Sequence, residues 1–491
     1  MSELHIYNTL SAQKEKFEPI HEGRVGMYVC GPTLYSEPHM GNIRTFISFD
    51  MIYRYLLLSG YKVKYVRNIT DAGHIANSLG QEVDSIGNAA RLEQMQSLEI
   101  VYKYNVKFQE LQRIYNLLPP SIEPTATGHI QEQIEIIEQI MENGFAYEMN
   151  GSVYFDVKKY SQVYNYGILS GRKVEELEVE TRDLVAQDEK RFSADFALWK
   201  KANPEDMQIW RSPWGDGNPG WHIECTAMST KYLGKHFDIH GGGLDLKFPH
   251  HEDEIAQSCG AVGCNPAKYW MHTNMLNVNG KKMSKSLGNY FLPKEIIEGT
   301  SELFSKPFSA QVVRFTLMMS HYRGENDLSN EALLASEKGY KRLTEAFNKI
   351  EAIELKENNQ DVYNDIVALK ERCKADMDDD FNTAKVISEL FELASIINKA
   401  IAKEFQVGTR EVEEIKGIVK DYFYFVLGLE PETQTNQNQE IVSELMKFIL
   451  DIRKSARENK DWTTSDKIRD LLNQVNIDIK DGKEGTTWSI I

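Results

Sequence analysis

Cysteine is scarce in this sequence: five residues among 491, at positions 30, 225, 259, 264 and 373. So few thiols in so long a chain argue against a disulfide framework and for reduced side chains. No two of them form a CxxC pair, which argues against an autonomous zinc finger, so a metal site would have to be assembled from distant segments. Long apolar runs are also missing, and none approaches the roughly 18 residues that suggest a membrane-spanning helix. The start, MSELHIYNTLSAQKEKF, has an early acid and no apolar core, unlike a secretory leader, and a cytoplasmic location is the default expectation. Positive charge is in deficit, with 56 Lys and Arg against 73 Asp and Glu and a formal net charge of -17. That balance argues against gripping nucleic acid through bulk charge and leaves room only for local basic patches. No internal repeat at solenoid spacing is present.

What is present is a globular composition, 41% hydrophobic and 26% charged, in a chain too long for one hydrophobic core. Two to four domains are expected. VGMYVC (25–30) is a short apolar run ending in a turn, RTFISFDMIYRYLLLSG (44–60) has helical periodicity stopped by Gly60, and KVKYVRNIT reads as a further strand. This order suggests a βαβ unit and a parallel sheet. The alternation returns with HFDIHGGG as strand, HHEDEIAQSCGAVG as helix and YWMHTNMLNV as strand. After about residue 326 long amphipathic helices take over. Val386, Leu390, Leu393, Ile397 and Ile401 recur at three- and four-residue steps, the stripe of a helical-bundle core. PETQTNQNQE (431–440) is polar and reads as a linker to a small C-terminal domain.

Three stretches carry chemistry. CGPTLYSEPHMGNIR (30–44) puts Gly31, Pro32, His39, Gly41 and Asn42 where a strand turns into a helix. Gly41 allows close approach of an adenine or ribose, and N–H groups at a helix start favour phosphate. KKMSKSLGN (281–289) offers Lys282 and Lys285 to neutralise charge developing on a phosphate. Taken singly, these are equally a tight turn and a solvated lysine loop. FDIHGGGLDLKFPHHEDE (237–254) packs adjacent histidines and acids behind three glycines, and by itself reads as a metal site, an anion loop or a polar turn.

Together, His39-Met40-Gly41-Asn42 and Lys282-Met283-Ser284-Lys285-Ser286 resemble the HIGH and KMSKS signatures of class I aminoacyl-tRNA synthetases. With CGPTxY, GWHIEC (220–225), FDIHGGGxDLxFPHH and MDDDFNTA (377–384), the chain resembles the cysteinyl-tRNA synthetases over nearly its whole length. The resemblance implies an α/β fold: a Rossmann-type catalytic domain in two halves (1–125 and 206–280) around an inserted module (126–205). A KMSKS loop and stem-contact region (281–325), a helical bundle (326–430), the linker and an anticodon-binding domain (441–491) would follow. It implies one Zn²⁺ per chain on Cys30, Cys225, His250 and Glu254. Cys, His and carboxylate are competent zinc ligands, and His250 and Glu254, four apart, share a helix face. His251 is the rival for the imidazole; Cys30 and Cys225 as small buried hydrophobes and His250 as a helix cap are the plain alternatives.

The family's cysteine contacts would fall on Thr70 and Trp221, which otherwise read as a strand-end Thr and a packed Trp. His39, Lys282 and Lys285 would be catalytic, with Gly31, Pro32, His39, Gly41, Asn42 and Lys285 around ATP and its Mg²⁺. An apolar pocket separates cysteine from serine by only about 1–3 kcal/mol, whereas a thiolate binds zinc far better than a hydroxyl does. Such a site dispenses with an editing domain. Base contacts to tRNA(Cys) would fall on Arg457, Trp462, Asp466 and Asp481; composition alone instead makes Trp462 a core anchor and the charges a solvated face. Further tRNA contact is expected around Lys200, Lys201 and the KMSKS region, and a monomer is expected. Many members continue NIT as an acid-rich NITDxDDK, whereas this chain has NITDAGHI, keeping Asp71 and introducing His74. Two other readings remain: a ligase joining cysteine to an amino sugar, which would lack the C-terminal module, and a non-catalytic tRNA-binding paralogue.

Overall fold

The structure is a computed structural model that describes residues 3–72, 74–76, 82–174, 176–177, 190–283, 287–430, 434–475, 477–482 and 485–490. It divides into two compact units, Met1–Leu429 and Glu430–Ile491.

In the first unit, strand β1 (Arg24–Val29) runs through the 30–39 turn into helix α1 (Met40–Leu58), which returns to strand β2 (Lys62–Arg67). Helix α2 (Ile130–Glu142) then leads into β3 (Ala146–Met149), β4 (Ser152–Phe155), β5 (Phe196–Lys201) and β6 (Gly217–Pro219). Helix α3 (Trp221–Leu233), β7 (Phe237–Gly243), helix α4 (His250–Val262) and β8 (Ala267–Thr273) complete this part. Strands β8, β7, β1 and β2 pair in that order, all parallel. Chain order reverses between β1 and β7, and crevices for ligands open at the carboxyl ends of strands at such switch points.

Side-chain alternation builds two cores, one on each face of this sheet. Met27, Val29, Ile239 and Met271 face α1, joining Phe46, Phe49 and Ile52. Tyr28, Cys30 and Trp270 face the other way, against Ile223 and Met228 of α3, Ile255 of α4 and Ile137 of α2. Helices on both faces bury the inner strand β7 on both sides, which explains its nearly continuous apolar and small-residue run, whereas the edge strand β2 keeps Lys62 and Lys64 exposed.

The inserted module is a four-stranded antiparallel sheet in the order β6-β5-β4-β3. Its last strand ends at Pro219, beyond the expected boundary at 205. Gly217–Pro219 is short and ends in proline, an edge strand that carries no alternation to read. Asp195 ties the module together, accepting from Tyr147 Oη (2.7 Å), Val157 N (3.0 Å) and Phe192 N (3.1 Å). Burial pushes its carboxyl up to about 6, against the pull of the Tyr147 hydrogen bond. YWMHTNMLNV is also divided: β8 ends at Thr273, and Leu276–Val278 forms strand β9 in a separate three-stranded sheet.

Helix α5 (Ala310–Met318) precedes the bundle of α6 (Asn330–Asn348), α7 (Gln360–Asp378), α8 (Thr383–Ile401) and α9 (Thr409–Ile418). On α8, Val386, Leu390, Leu393 and Ile397 are buried as their spacing predicts, and Ile401 is half-buried. A buried ion cluster ties α1 to this region. Arg314 donates to Asp50 Oδ2 (2.5 Å) and to the Leu427 and Tyr115 carbonyls (both 2.7 Å), while Arg54 meets the same carboxylate oxygen at 2.8 Å.

The second unit contains α10 (Gln434–Glu458), α11 (Trp462–Gln474) and an antiparallel pair, β10 (Ile477–Gly482) and β11 (Gly485–Ile490). The expected linker is therefore helical from Gln434 onward. Its Gln, Asn and Glu lack apolar periodicity, but after Pro431 nothing in it breaks a helix. Met446, Leu472 and Ile479 form the core of this unit.

Candidate active site

The carboxyl ends of β1 and β7 place a dense polar cluster on the face covered by α3 and α4. Cys30 directly follows β1, two residues beyond Tyr28 on the same face; Cys225 lies in the second turn of α3; His250 and Glu254 lie one turn apart at the start of α4. The Sγ atoms of Cys30 and Cys225 are 3.8 Å apart, Glu254 Oε1 is 3.8 Å from Cys30 Sγ, and His250 Nε2 is 3.2 Å from that oxygen. One donor atom from each of the four lies within 4.8 Å of the others, all buried. Two thiolates about 2.3 Å from a tetrahedral zinc stand about 3.8 Å apart, so this donor set fits the ion in type and spacing.

His251 remains close. Its Nε2 is 3.3 Å from Cys30 Sγ, and Cys30, His240, His251 and Glu254 form a second, overlapping set. The two histidines differ in their outer partners. His250 Nδ1 meets His222 Nδ1 at 2.7 Å, and His222 Nε2 faces Asp253 Oδ2 at 3.3 Å, which in turn is held by Tyr166 Oη at 2.6 Å from its other oxygen. His251 Nδ1 meets His272 Nε2 at 2.9 Å, and His272 Nδ1 meets Thr9 Oγ1 at 2.9 Å. His240, at the register of Tyr28 and Trp270, stacks on the indole at 4.4 Å and reaches Glu254 Oε2 at 2.7 Å. Its Nδ1 has no hydrogen-bond partner among the described residues.

Charge is distributed unevenly over this cluster. Burial works to raise the Cys225 thiol, but the hydrogen bond with Cys30 and the contact with His250 outweigh it and bring it to about 6. Burial would depress His250, yet the Cys225 and Glu254 contacts lift it to about 10. Glu254, which burial would raise, is held at about 2 by His240 and His250. Burial and Cys225 push the Cys30 thiol well up, and burial with neighbouring imidazoles keeps His222 and His251 well below the usual range. These contacts favour the charged forms of Cys225, His250 and Glu254, and because thiol and imidazole ligands bind a cation deprotonated, its uptake would release protons.

A cleft of about 430 Å³ opens beside the cluster. Cys30, Gly31, Pro32 and Trp221 line it near the thiols, while His39, Gly41, Asn42, Lys282 and Met283 line its other end. The two distant motifs therefore meet: a Cβ on Gly41 would lie 2.9 Å from His39 Cε1 and 3.7 Å from Met283 Cε. Trp221 also packs on His250, with ring centroids 4.5 Å apart. The helix-start N–H groups expected to favour phosphate are taken up locally. His39 Nδ1 accepts from Gly41 N (3.1 Å) and Asn42 N (3.4 Å), and Asn42 Oδ1 accepts from His39 N (3.0 Å). A histidine ring is long enough to fold back over the first turn, which the sequence pattern does not disclose.

Two of the three glycines of the 237–254 stretch, Gly241 and Gly242, are explained by close approach. A Cβ on Gly241 would lie 2.2 Å from the Phe49 ring of α1, and one on Gly242 2.9 Å from His251. Thr70 is buried, donating to Glu224 Oε2 at 2.8 Å, and does not line the cleft. Lys200 donates to Tyr154 Oη at 2.8 Å in the module, and Lys201 is exposed. Lys285 lies outside the described residues, as do the side chains of His74 and Asp481. In the second unit Trp462 is 57% exposed and lies one turn from exposed Asp466, with Arg457 exposed near the end of α10. The indole is therefore no core anchor.

His222, His240 and His272 were not singled out from sequence. The available signal was a histidine set among apolar residues in otherwise buried elements, as in Phe237-Asp238-Ile239-His240.

Comparison with known proteins identifies the family and the fold. The sequence model of the tRNA synthetases class I (C) catalytic domain matches residues 16–338, and that of the DALR domain matches 372–429, within the bundle. Among solved structures, Mycobacterium tuberculosis methionyl-tRNA synthetase in complex with methionyl-adenylate superposes with a TM-score of 0.58 at 14% identity, covering 83% of this chain and 92% of that one. The fold is that of the class I aminoacyl-tRNA synthetases, which are ATP-dependent ligases. Cysteine–tRNA ligases of Phocaeicola vulgatus (48% identity, 100% of this chain and 99% of that one), Bacteroides fragilis (47%, 99% and 99%) and Chlorobaculum tepidum (42%, 100% and 99%) match along their whole lengths. The chain belongs to the cysteine–tRNA ligase family. No helix among the described residues is long and apolar enough to cross a membrane.

Proposed function

We propose that this chain activates L-cysteine with ATP to cysteinyl-adenylate and transfers the cysteinyl group to the 3′-terminal adenosine of tRNA(Cys). The observation that carries the reading is the convergence of the Cys30, Cys225, His250 and Glu254 donors with the His39 and Lys282 ends of one cleft.

Cys30, Cys225, His250 and Glu254 would hold zinc. When bound, the ion supplies a Lewis-acid site that accepts a thiolate and rejects a hydroxyl, which separates cysteine from serine. Trp221, packed against His250, closes the pocket beside it. Held there, the substrate directs its carboxylate into the cleft, where it attacks the α-phosphate of Mg²⁺-bound ATP and pyrophosphate leaves. His39 and Lys282, with Lys285, stabilise the charge that builds up on the phosphates. A ribose hydroxyl of the tRNA end then attacks the activated carbonyl, releasing AMP. The exposed Trp462 offers a stacking face to an unpaired anticodon base, with Arg457, Asp466 and Asp481 completing the reader.

The test is cysteine-dependent ATP–pyrophosphate exchange with zinc content measured on the same samples. About one zinc per chain in the parent, lost together with exchange in Cys225→Ser, is expected. Exchange that persists in a zinc-free Cys225→Ser protein would remove the metal from the proposal, and tRNA(Cys) charging would then test the rest.

A further inference from the structure

Behind the two thiols runs a chain of buried hydrogen bonds that the proposed chemistry does not use. Glu224 precedes Cys225 on α3, and its Oε2 accepts from Thr70 Oγ1 at 2.8 Å. That hydroxyl oxygen accepts from Asn68 Nδ2 at 3.1 Å, and Asn68 Oδ1 accepts from the backbone N–H of Gly31 at 2.8 Å. Gly31 follows Cys30. The three bonds thus join the residue next to one thiol to the residue next to the other, in parallel with the 3.8 Å gap between the sulfurs.

We propose that Asn68, Thr70 and Glu224 are positioning residues that hold Cys30 and Cys225 at ligand spacing before any ion arrives; this rests on the zinc reading above. Three observations support it. All three side chains are at most 2% exposed, so water offers them no alternative partners. The connection is made where β1 stops pairing with β2: backbone register ends at Val29 opposite Arg67, and the Asn68 side chain bonds the next strand-end N–H. Cys30 is also fixed from the other side, its N–H donating to Gly241 O at 3.1 Å, so the loop has little freedom except toward α3. A Cβ on Gly31 would lie 1.7 Å from the Asn68 carbonyl oxygen, showing how closely the two backbones are pressed together. The backbone of Thr70 completes the attachment, donating to Pro32 O and accepting from Leu34 N, both at 3.1 Å.

A preset spacing lowers the ordering an ion must impose, and outer partners of metal ligands change affinity by about 10–100-fold when removed. Thr70→Val keeps the volume and deletes the link between Asn68 and Glu224; Thr70→Ser keeps the hydroxyl. The measurement is zinc affinity of full-length protein by competition with a chromogenic chelator, alongside thermal unfolding of the metal-free forms. Expected are an about 10–100-fold weaker zinc affinity in Thr70→Val, whose metal-free form also melts somewhat lower because Asn68 and Glu224 lose a buried partner, and parent-like affinity and melting in Thr70→Ser. A merely structural Thr70 would lower metal-free melting and leave zinc affinity intact, which overturns the proposal. Equal affinity in all three proteins overturns it while leaving the zinc site standing. A parent protein that binds no zinc overturns both.

Discussion

Gly241→Ala would force together two elements that the glycine allows to touch. The new Cβ would lie 2.2 Å from Cε1 and Cζ of Phe49 and 3.1 Å from Cδ1. Carbon atoms prefer about 3.5–4.0 Å, so the ring must retreat by more than about 1 Å. Phe49 is fully buried between α1 and the sheet, and no open side is available to it. Either α1 lifts or β7 bends, at about 1–3 kcal/mol, the usual range for overpacking. Because α1 starts at the His39 cap and β7 ends at Gly243, both of which line the cleft, the shift also reaches the cleft. Adenylate formation is therefore expected to slow even where the variant remains folded. Urea unfolding followed by intrinsic fluorescence measures the stability part. Phe49→Ala alone should cost about 3–5 kcal/mol through its cavity, and the double variant should cost at least about 1 kcal/mol less than the sum, because the new methyl fills that cavity. Single effects that add to within about 0.5 kcal/mol would show that the two groups do not compete for space, and would refute the close-approach account of Gly241.

Arg314→Met leaves Asp50 with Arg54 and the Leu118 N–H as its partners and takes the Arg314 donor from the Leu427 and Tyr115 carbonyls, so a loss of about 3–5 kcal/mol is expected in the same unfolding assay; under about 1 kcal/mol would show the cluster to be dispensable. Asp195 has a folded-state pKa raised from 3.8 to about 6, so the fold favours its neutral form. Its contribution is complete below about pH 3.8 and is lost as pH rises through about 6, amounting to roughly 3 kcal/mol. Asp195→Asn should flatten that part of the stability–pH curve, and identical slopes for both proteins would contradict it. Trp462→Ala should weaken tRNA(Cys) binding by about 1–3 kcal/mol and leave cysteine-dependent exchange untouched; unchanged tRNA affinity would remove the stacking role.

The parallel sheet was legible because each strand, turn and helix carries its own local signal: the VGMYVC run, the stop at Gly60, the return of KVKYVR. The cluster was legible in part. His250 and Glu254 share a helix face by arithmetic, whereas Cys30 and Cys225 could be joined to them only through resemblance, since nothing local links residues 195 apart. His240 escaped notice because strand periodicity shows which face it points to but not that Glu254 waits there. The link from Glu224 through Thr70 to Asn68 escaped because each residue has an ordinary local reading. The polar 431–440 segment was misassigned because side-chain polarity marks solvent exposure, and helices can be exposed. The module boundary was misplaced because a three-residue edge strand leaves almost no pattern.

The cap at His39 has one more consequence, for the location of a proton. A ring nitrogen that accepts from two amides carries no hydrogen of its own, so the neutral imidazole keeps its hydrogen on Nε2. The peptide backbone at the start of α1 thus selects the tautomer and makes the opposite edge of the ring a hydrogen-bond donor. Fraying that first turn would free the ring to exchange tautomers, altering the polarity of a side chain in the cleft without replacing a single atom there.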